Sequence, residues 1–175
     1  LDAGTLGEKE AAFFRVAVNL NKLQTAVLAH DAVNHGIEIL GGNGAIESFS
    51  MLPRLLRDNV VYENWEGTHN VLRAQVLRDC ARMGVHQGFF DVLADILGED
   101  SVAADRAEMA SILSVDEQLA SLRFRRLASR MAIHVMRAAM EPIPELADLA
   151  SIVGRHLDGV ALDQDYLDCL GRLQR

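Results

Sequence analysis

The chain has few cysteines, prolines and aromatics, no basic run and no long apolar stretch, and each shortage removes a class of protein. Two cysteines in 175 residues, Cys80 and Cys169, make neither a disulfide framework nor a metal-binding pattern, so nothing demands an oxidising compartment and cytoplasm is the expected location. Six histidines, at 30, 35, 69, 86, 134 and 156, show no metal-ligand spacing and are read as structural or exposed. No window of 18 apolar residues free of charge exists, which excludes a membrane-spanning helix. A net charge of −8 without a cationic cluster disfavours nucleic acid as a partner. Residues 1–85 carry 8 basic and 10 acidic side chains and residues 86–175 carry 9 and 15, so the second half is the more acidic. Leu1 is not an initiator methionine, and the first residues lack the layout of a signal peptide. The chain therefore reads as a piece of a longer polypeptide.

Half of the residues are hydrophobic, enough for a core of ordinary size, and their spacing is helical throughout. Phe13, Val16, Leu20, Leu23 and Val27 recur every three or four residues, laying an apolar stripe along a long helix over Glu8 to His35. Gly41-Gly42-Asn43-Gly44 is expected to end it. A short amphipathic element from about Met51 to Asp58 follows, then a loop to Gly67, then a helix capped by the Thr68 hydroxyl. Phe89, Phe90, Leu93 and Leu97 predict a short helix closed by Gly98, and Ala104 to Leu113 another. Ser114-Val115-Asp116-Glu117 has the spacing of a capping box, opening a helix that reaches Met140 before Pro142 and Pro144. Two further helices, Glu145 to Leu157 and Gln164 to Leu173, close the chain. Met131, Met136 and Met140, like the phenylalanines, are read as core.

One stretch concentrates residues with chemical uses. Adjacent glycines let a backbone approach a flat or phosphorylated ligand that a Cβ would obstruct. Glu66, in a loop beside Trp65 and before Gly67, is placed where partial desolvation would suit it to proton abstraction. Thr68 and Asn70 stand at a helix N-terminus, an address for anions. Each has a plainer reading: a helix C-cap and turn for the glycines, a surface or interhelical ion pair for Arg57 and Asp58, a solvated loop carboxylate for Glu66.

The ordered motifs Leu-Gly-Gly-Asn-Gly (40–44), Arg-Leu-Leu-Arg-Asp (54–58) and Glu-Gly-Thr (66–68) resemble the C-terminal helical domain of acyl-CoA dehydrogenases over Glu8 to Met83. In that family an N-terminal helical domain and a middle β domain precede a C-terminal four-helix bundle, with FAD between subunits. The resemblance implies an all-α fold, an antiparallel four-helix bundle over residues 1–85 followed by a helical extension over 86–175 packed on it. It makes Glu66 the catalytic base that takes the α-proton of an acyl-CoA thioester while hydride passes from the β-carbon to flavin. Gly67 would meet the substrate; Thr68, His69 and Asn70 the flavin; Glu38, Gly41 and Gly42 the adenosine-diphosphate part of a neighbouring subunit's FAD. It implies as partners the missing N-terminal and β domains, further copies in a homodimer or homotetramer, and electron-transfer flavoprotein. Two departures stand out. Glu38 occupies a position where the family usually has glutamine, and the chain continues for 107 residues beyond Thr68. Together with Trp65 these features are similar to the AidB-like branch, whose extension is associated with DNA. The acidity of this extension points to the same architecture without DNA. The alternative expectation is a non-catalytic or AidB-like flavoprotein domain serving oligomerisation or DNA-damage response. Without the family's β domain and upstream FAD motif, the chain alone is expected neither to retain FAD nor to turn over substrate.

Overall fold

A computed structural model describes residues 6–157 and 163–173, together with backbone but not side chains at His156 and Leu157. The described residues are all-α, without a strand. The helices are α1 (Glu8–Leu40), α2 (Leu52–Asn64), α3 (His69–Met83), α4 (Val85–Leu97), α5 (Glu99–Leu113), α6 (Glu117–Met140), α7 (Ala147–Leu157) and α8 (Gln164–Leu173). None of them is long and apolar enough to cross a membrane.

The stripe of α1 organises the core. Val16, Leu20 and Leu23 are buried as their spacing requires, with Phe13 and Val27 half-buried at its ends. Around them one apolar cluster gathers Val76, Leu77 and Cys80 of α3, Phe89, Phe90 and Leu93 of α4, Val102, Met109 and Ile112 of α5, and Phe124, Leu127 and Met131 of α6. Phe13 stacks on Phe89 at 5.6 Å between ring centroids, and Phe89 meets Phe90 edge-on at 5.3 Å. Gly88 permits this approach: a Cβ there would lie 2.9 Å from both Ala12 Cβ and Lys9 Cα, so any larger residue would push α4 off α1. Burial pushes the Cys80 thiol up to about 12, with the Asp79 carboxylate adding to the effect, so this cysteine stays protonated and inert.

Polar contacts fix the helices' register. Arg15 Nε donates to Asp79 Oδ2 at 2.8 Å between α1 and α3. Asp105, buried in α5, accepts from Arg130 Nε at 2.8 Å and from His134 Nε2 at 3.0 Å, both on α6. Burial alone would raise the Asp105 carboxyl, but the hydrogen bonds from His134 and Arg130 and the adjoining positive charge outweigh it and hold it below its ordinary value. α7 packs on α6, and α8 on α7 through a small cluster of Ile152, Tyr166 and Cys169, braced by Arg172 on Asp148 at 2.7 Å.

α1 ends at Leu40 with Gly41 as its C-cap, as expected, and Gly41–Ala45 continue as a turn of 3₁₀ helix in which Gly44 folds back so tightly that a Cβ on it would lie 2.6 Å from the Ile37 carbonyl. Several other local expectations need correction. Residues 59–64 are helix and not loop: α2 runs on to Asn64, since nothing after Pro53, itself in the first turn, breaks it. Arg57 and Asp58 are therefore inside α2, where Arg57 pairs with Glu47 and Asp58 faces Arg54 at 3.9 Å. The cap of α6 is Asp116, which accepts from the amides of Gln118 and Leu119, while the Ser114 hydroxyl turns back to Ser111. α5 begins earlier, at Glu99. Phe49 is not core but 60% exposed, and Phe14 is also at the surface. Among the histidines, His134 is buried, His30, His69 and His86 half-buried, and His35 exposed; the His156 side chain lies outside the described residues.

Replacing Phe89 by alanine is expected to lower stability by about 3–5 kcal/mol in urea denaturation, because two ring contacts and a fully buried volume go together. Asp105 contributes through its depressed pKa, so its share is present above the ordinary carboxyl value and is lost as pH falls through the folded one. An Asp105→Asn variant is therefore less stable at neutral pH and loses less on acidification below about pH 4.

Candidate functional site

The site is built at one end of a helical hairpin. α2 lies antiparallel along the outer part of α1, with Leu52 against Gly36, Asn59 against Ala26, and the turn after Asn64 against Lys22. Much of this interface is polar. Asn59 Nδ2 donates to the Ala26 carbonyl at 3.1 Å and to Glu63 Oε1 at 2.7 Å, and His30 Nδ1 meets the same oxygen at 2.7 Å. Lys22 Nζ donates to the Gly67 carbonyl at 2.7 Å and reaches the Glu63 carbonyl at 3.5 Å.

The turn from α2 to α3 carries Glu66. Its φ is 53°, a left-handed conformation that a non-glycine residue adopts at a cost, and Gly67 follows at φ 112°. Glu66 is exposed, so this chain gives its carboxylate position but not dry surroundings. Thr68 occupies the N-cap of α3, yet its hydroxyl makes no capping bond, which corrects the expectation of a side-chain cap and leaves the amide end of the helix open. His69 Nε2 is buried without a hydrogen-bond partner among the described residues. Desolvation holds His69 below its ordinary value, helped by the charges of Arg73 and Lys22 and opposed by Glu63, so the ring is neutral at pH 7. A cavity of about 180 Å³ lies among Glu63, Asn64, Thr68, His69 and Asn70.

Glu38, Gly41 and Gly42 lie at the other end of the hairpin. All three are exposed, and a Cβ built on Gly41 or Gly42 would meet nothing within 4 Å. The Gly41 amide is used by the chain itself, bonding the Glu38 carbonyl. Eighteen residues of α1 separate Lys22, beneath the Glu66 turn, from Leu40, a span of about 27 Å. The structure thus brings Glu66, Gly67, Thr68, His69 and Asn70 together and keeps Glu38, Gly41 and Gly42 apart from them. Sequence reasoning missed Lys22, Asn59 and Glu63; Asn59 and Glu63 stand four apart on one face of α2, a signal hidden by reading that segment as loop.

Residues 2–81 match the family model described as acyl-CoA dehydrogenase, C-terminal domain. Over this segment the chain is similar to acyl-CoA dehydrogenase C-terminal domains. It is 43% identical over 77 residues to a Caenorhabditis elegans protein named acyl-CoA dehydrogenase family member 11, a match covering 44% of this chain and 12% of that protein. The matched segment thus spans about an eighth of the relative's length. The match ends in the last turn of α3, so the domain contains the whole α1–α2 hairpin and the Glu66 turn. Its open donors fit the edge of a large polar cofactor: an orphaned imidazole nitrogen, a helix N-terminus without a side-chain cap and a free Thr68 hydroxyl.

An NMR titration of the His69 ring is expected to give a midpoint below 6.5. The unfolded chain takes that proton first, so acidification from neutral pH towards the folded value costs stability, and a His69→Gln variant loses that part of the pH dependence.

Proposed function

We propose that this chain is the helical, base-bearing part of an FAD-dependent acyl-CoA dehydrogenase, in which Glu66 removes the α-proton of an acyl-CoA thioester. The observation that carries the reading is the Glu66 turn inside the matched domain: a carboxylate at positive φ, followed by a glycine and the open N-terminus of α3. Glu66 takes the proton on a carboxylate oxygen, and Gly67, next to it in the turn, meets the substrate's thioester region. His69, neutral, offers Nε2 either to give or to accept a hydrogen bond, and Thr68 and Asn70 add neutral donors along the same edge. FAD, when bound, supplies the hydride acceptor.

A carboxylate becomes an effective base for a weak carbon acid only when water is excluded. Here that exclusion falls to the N-terminal and β domains and to the substrate, since Glu66 is open in this chain. Ile39, Met51, Val61 and Tyr62 form apolar surface around the hairpin, Ile39 being 84% exposed, and this supports burial against those domains or another copy in a homodimer or homotetramer. The separation of Glu38, Gly41 and Gly42 from Glu66 supports their serving the adenosine-diphosphate part of the neighbouring subunit's FAD. In this reading the family-like part lies within residues 1–85 and the extension within 86–175, and α4, α5 and α6 of the extension complete the core that α1 and α3 begin. Electron-transfer flavoprotein is the electron acceptor, fatty acid metabolism the setting and the cytoplasm the compartment.

The deciding experiment is anaerobic visible absorption of the full-length parent with a panel of acyl-CoA thioesters. Flavin bleached by one chain-length class supports the reading; absence of flavin, or flavin that no thioester reduces, overturns it in favour of a non-catalytic or AidB-like domain. Glu66→Gln is expected to slow bleaching by roughly 10²–10⁴-fold. Gly42→Val meets nothing within the chain, so it is expected to leave the melting temperature unchanged while flavin content falls.

A further inference from the structure

Glu66 poses a mechanical problem. It holds φ 53° on an exposed turn, where no packing around its side chain enforces that conformation. The restraint comes from below. Lys22, half-buried on α1, points its ammonium under the turn and contacts two carbonyls that bracket Glu66: Glu63, in the last turn of α2, at 3.5 Å, and Gly67, between Glu66 and α3, at 2.7 Å. A cation at the C-terminal end of α2 is favoured by the helix dipole and satisfies carbonyls left over there. The bond to Gly67 fixes the peptide plane that joins the turn to α3. Lys22 is itself seated on a rigid base, because the Asn59–Ala26 and Glu63–His30 contacts lock α2 to α1 one to two turns away.

We infer that Lys22 is a positioning residue that sets the direction of the Glu66 carboxylate by holding both ends of its turn, an inference that rests on Glu66 being the base. Lys22 touches no reacting atom in that scheme. Its ammonium is spent on two main-chain oxygens, and its effect on chemistry is geometric. A displacement of the base by about an ångström is enough to cost on the order of 10²-fold in rate.

Two readouts test this. In the 175-residue chain, the Glu66 ¹³Cα and ¹³Cβ NMR shifts report the left-handed backbone directly, and the single tryptophan, Trp65, reports the turn by fluorescence. Lys22→Met, which keeps length and removes the donors, is expected to move the Glu66 shifts away from left-handed values. Lys22→Arg, which keeps a donor, is expected to restore them, and Lys22→Leu, which also has no donor, is the second removal variant should Lys22→Met fail to fold. In the flavin-loaded parent, Lys22→Met is expected to slow single-turnover flavin bleaching roughly 10–100-fold with thioester affinity changed less than about twofold, and Lys22→Arg to recover most of the rate. Unchanged Glu66 shifts in the removal variants overturn the inference, as does bleaching within about twofold of the unmodified protein while Glu66→Gln remains slow. If Glu66→Gln bleaches at full rate, the base assignment falls and the catalytic half of the inference with it, and the Glu66 shifts still decide whether Lys22 holds the turn.

Discussion

α1 is longer than the core it enters. At 33 residues it extends about 50 Å, yet none of its residues beyond Ala26 is buried. The N-terminal part packs against α3, α4 and α6 through Val16, Leu20 and Leu23; the remainder projects from the bundle with α2 as its main cover. The other features around the candidate site follow from that overhang. A helix flanked by one neighbour cannot bury a full apolar stripe, so the hairpin is held instead by Asn59, Glu63, His30 and Lys22. The faces that α2 leaves open carry Ile39, Met51, Val61 and Trp65 into solvent.

The core half of the fold was legible because it obeys simple periodicity. The 3-4-3-4 spacing in α1 gives its buried face directly, and Phe89, Phe90 and Leu93 do the same for α4. Errors cluster where two local signals compete. Ser114 and Asp116 both stand near the start of α6; the backbone turns at Ser114, and the carboxylate one residue before the helix takes the capping bonds. The glycine segment does end α1, and absence of a Cβ lets Gly44 pack on Ile37 and keep a 3₁₀ turn there that the sequence does not announce. Phe49 and Phe14 were assigned to the core by residue type alone, and type does not say whether a neighbour exists to cover them.

The site was legible in the opposite sense. Three short motifs in order located Glu66 and the glycine loop, although no periodicity marks either. What the motifs could not convey is the support beneath them. Lys22 lies 44 residues before Glu66 and reaches the carbonyls on either side of it only because α2 runs antiparallel to α1, a tertiary fact with no local signature. Reading residues 59–64 as loop then removed Asn59 and Glu63 from view, although their spacing of four is the mark of one helical face.

Position and environment are therefore supplied by different parts of the molecule. The chain fixes where Glu66 stands, through a left-handed turn pinned at two carbonyls, and it fixes the N-terminus of α3 next to it. It does not desolvate the carboxylate, and a solvated glutamate is too weakly basic to abstract a proton next to a thioester carbonyl. Nor do Gly41 and Gly42, some 27 Å along α1, take part in the same surface. An arrangement with rigid geometry at two separated, open ends of one hairpin makes chemical sense when other domains and another copy close over each end. The exposed apolar residues lie where such closure would remove them from water, so covering the hairpin would desolvate Glu66 and bury the overhang in one event.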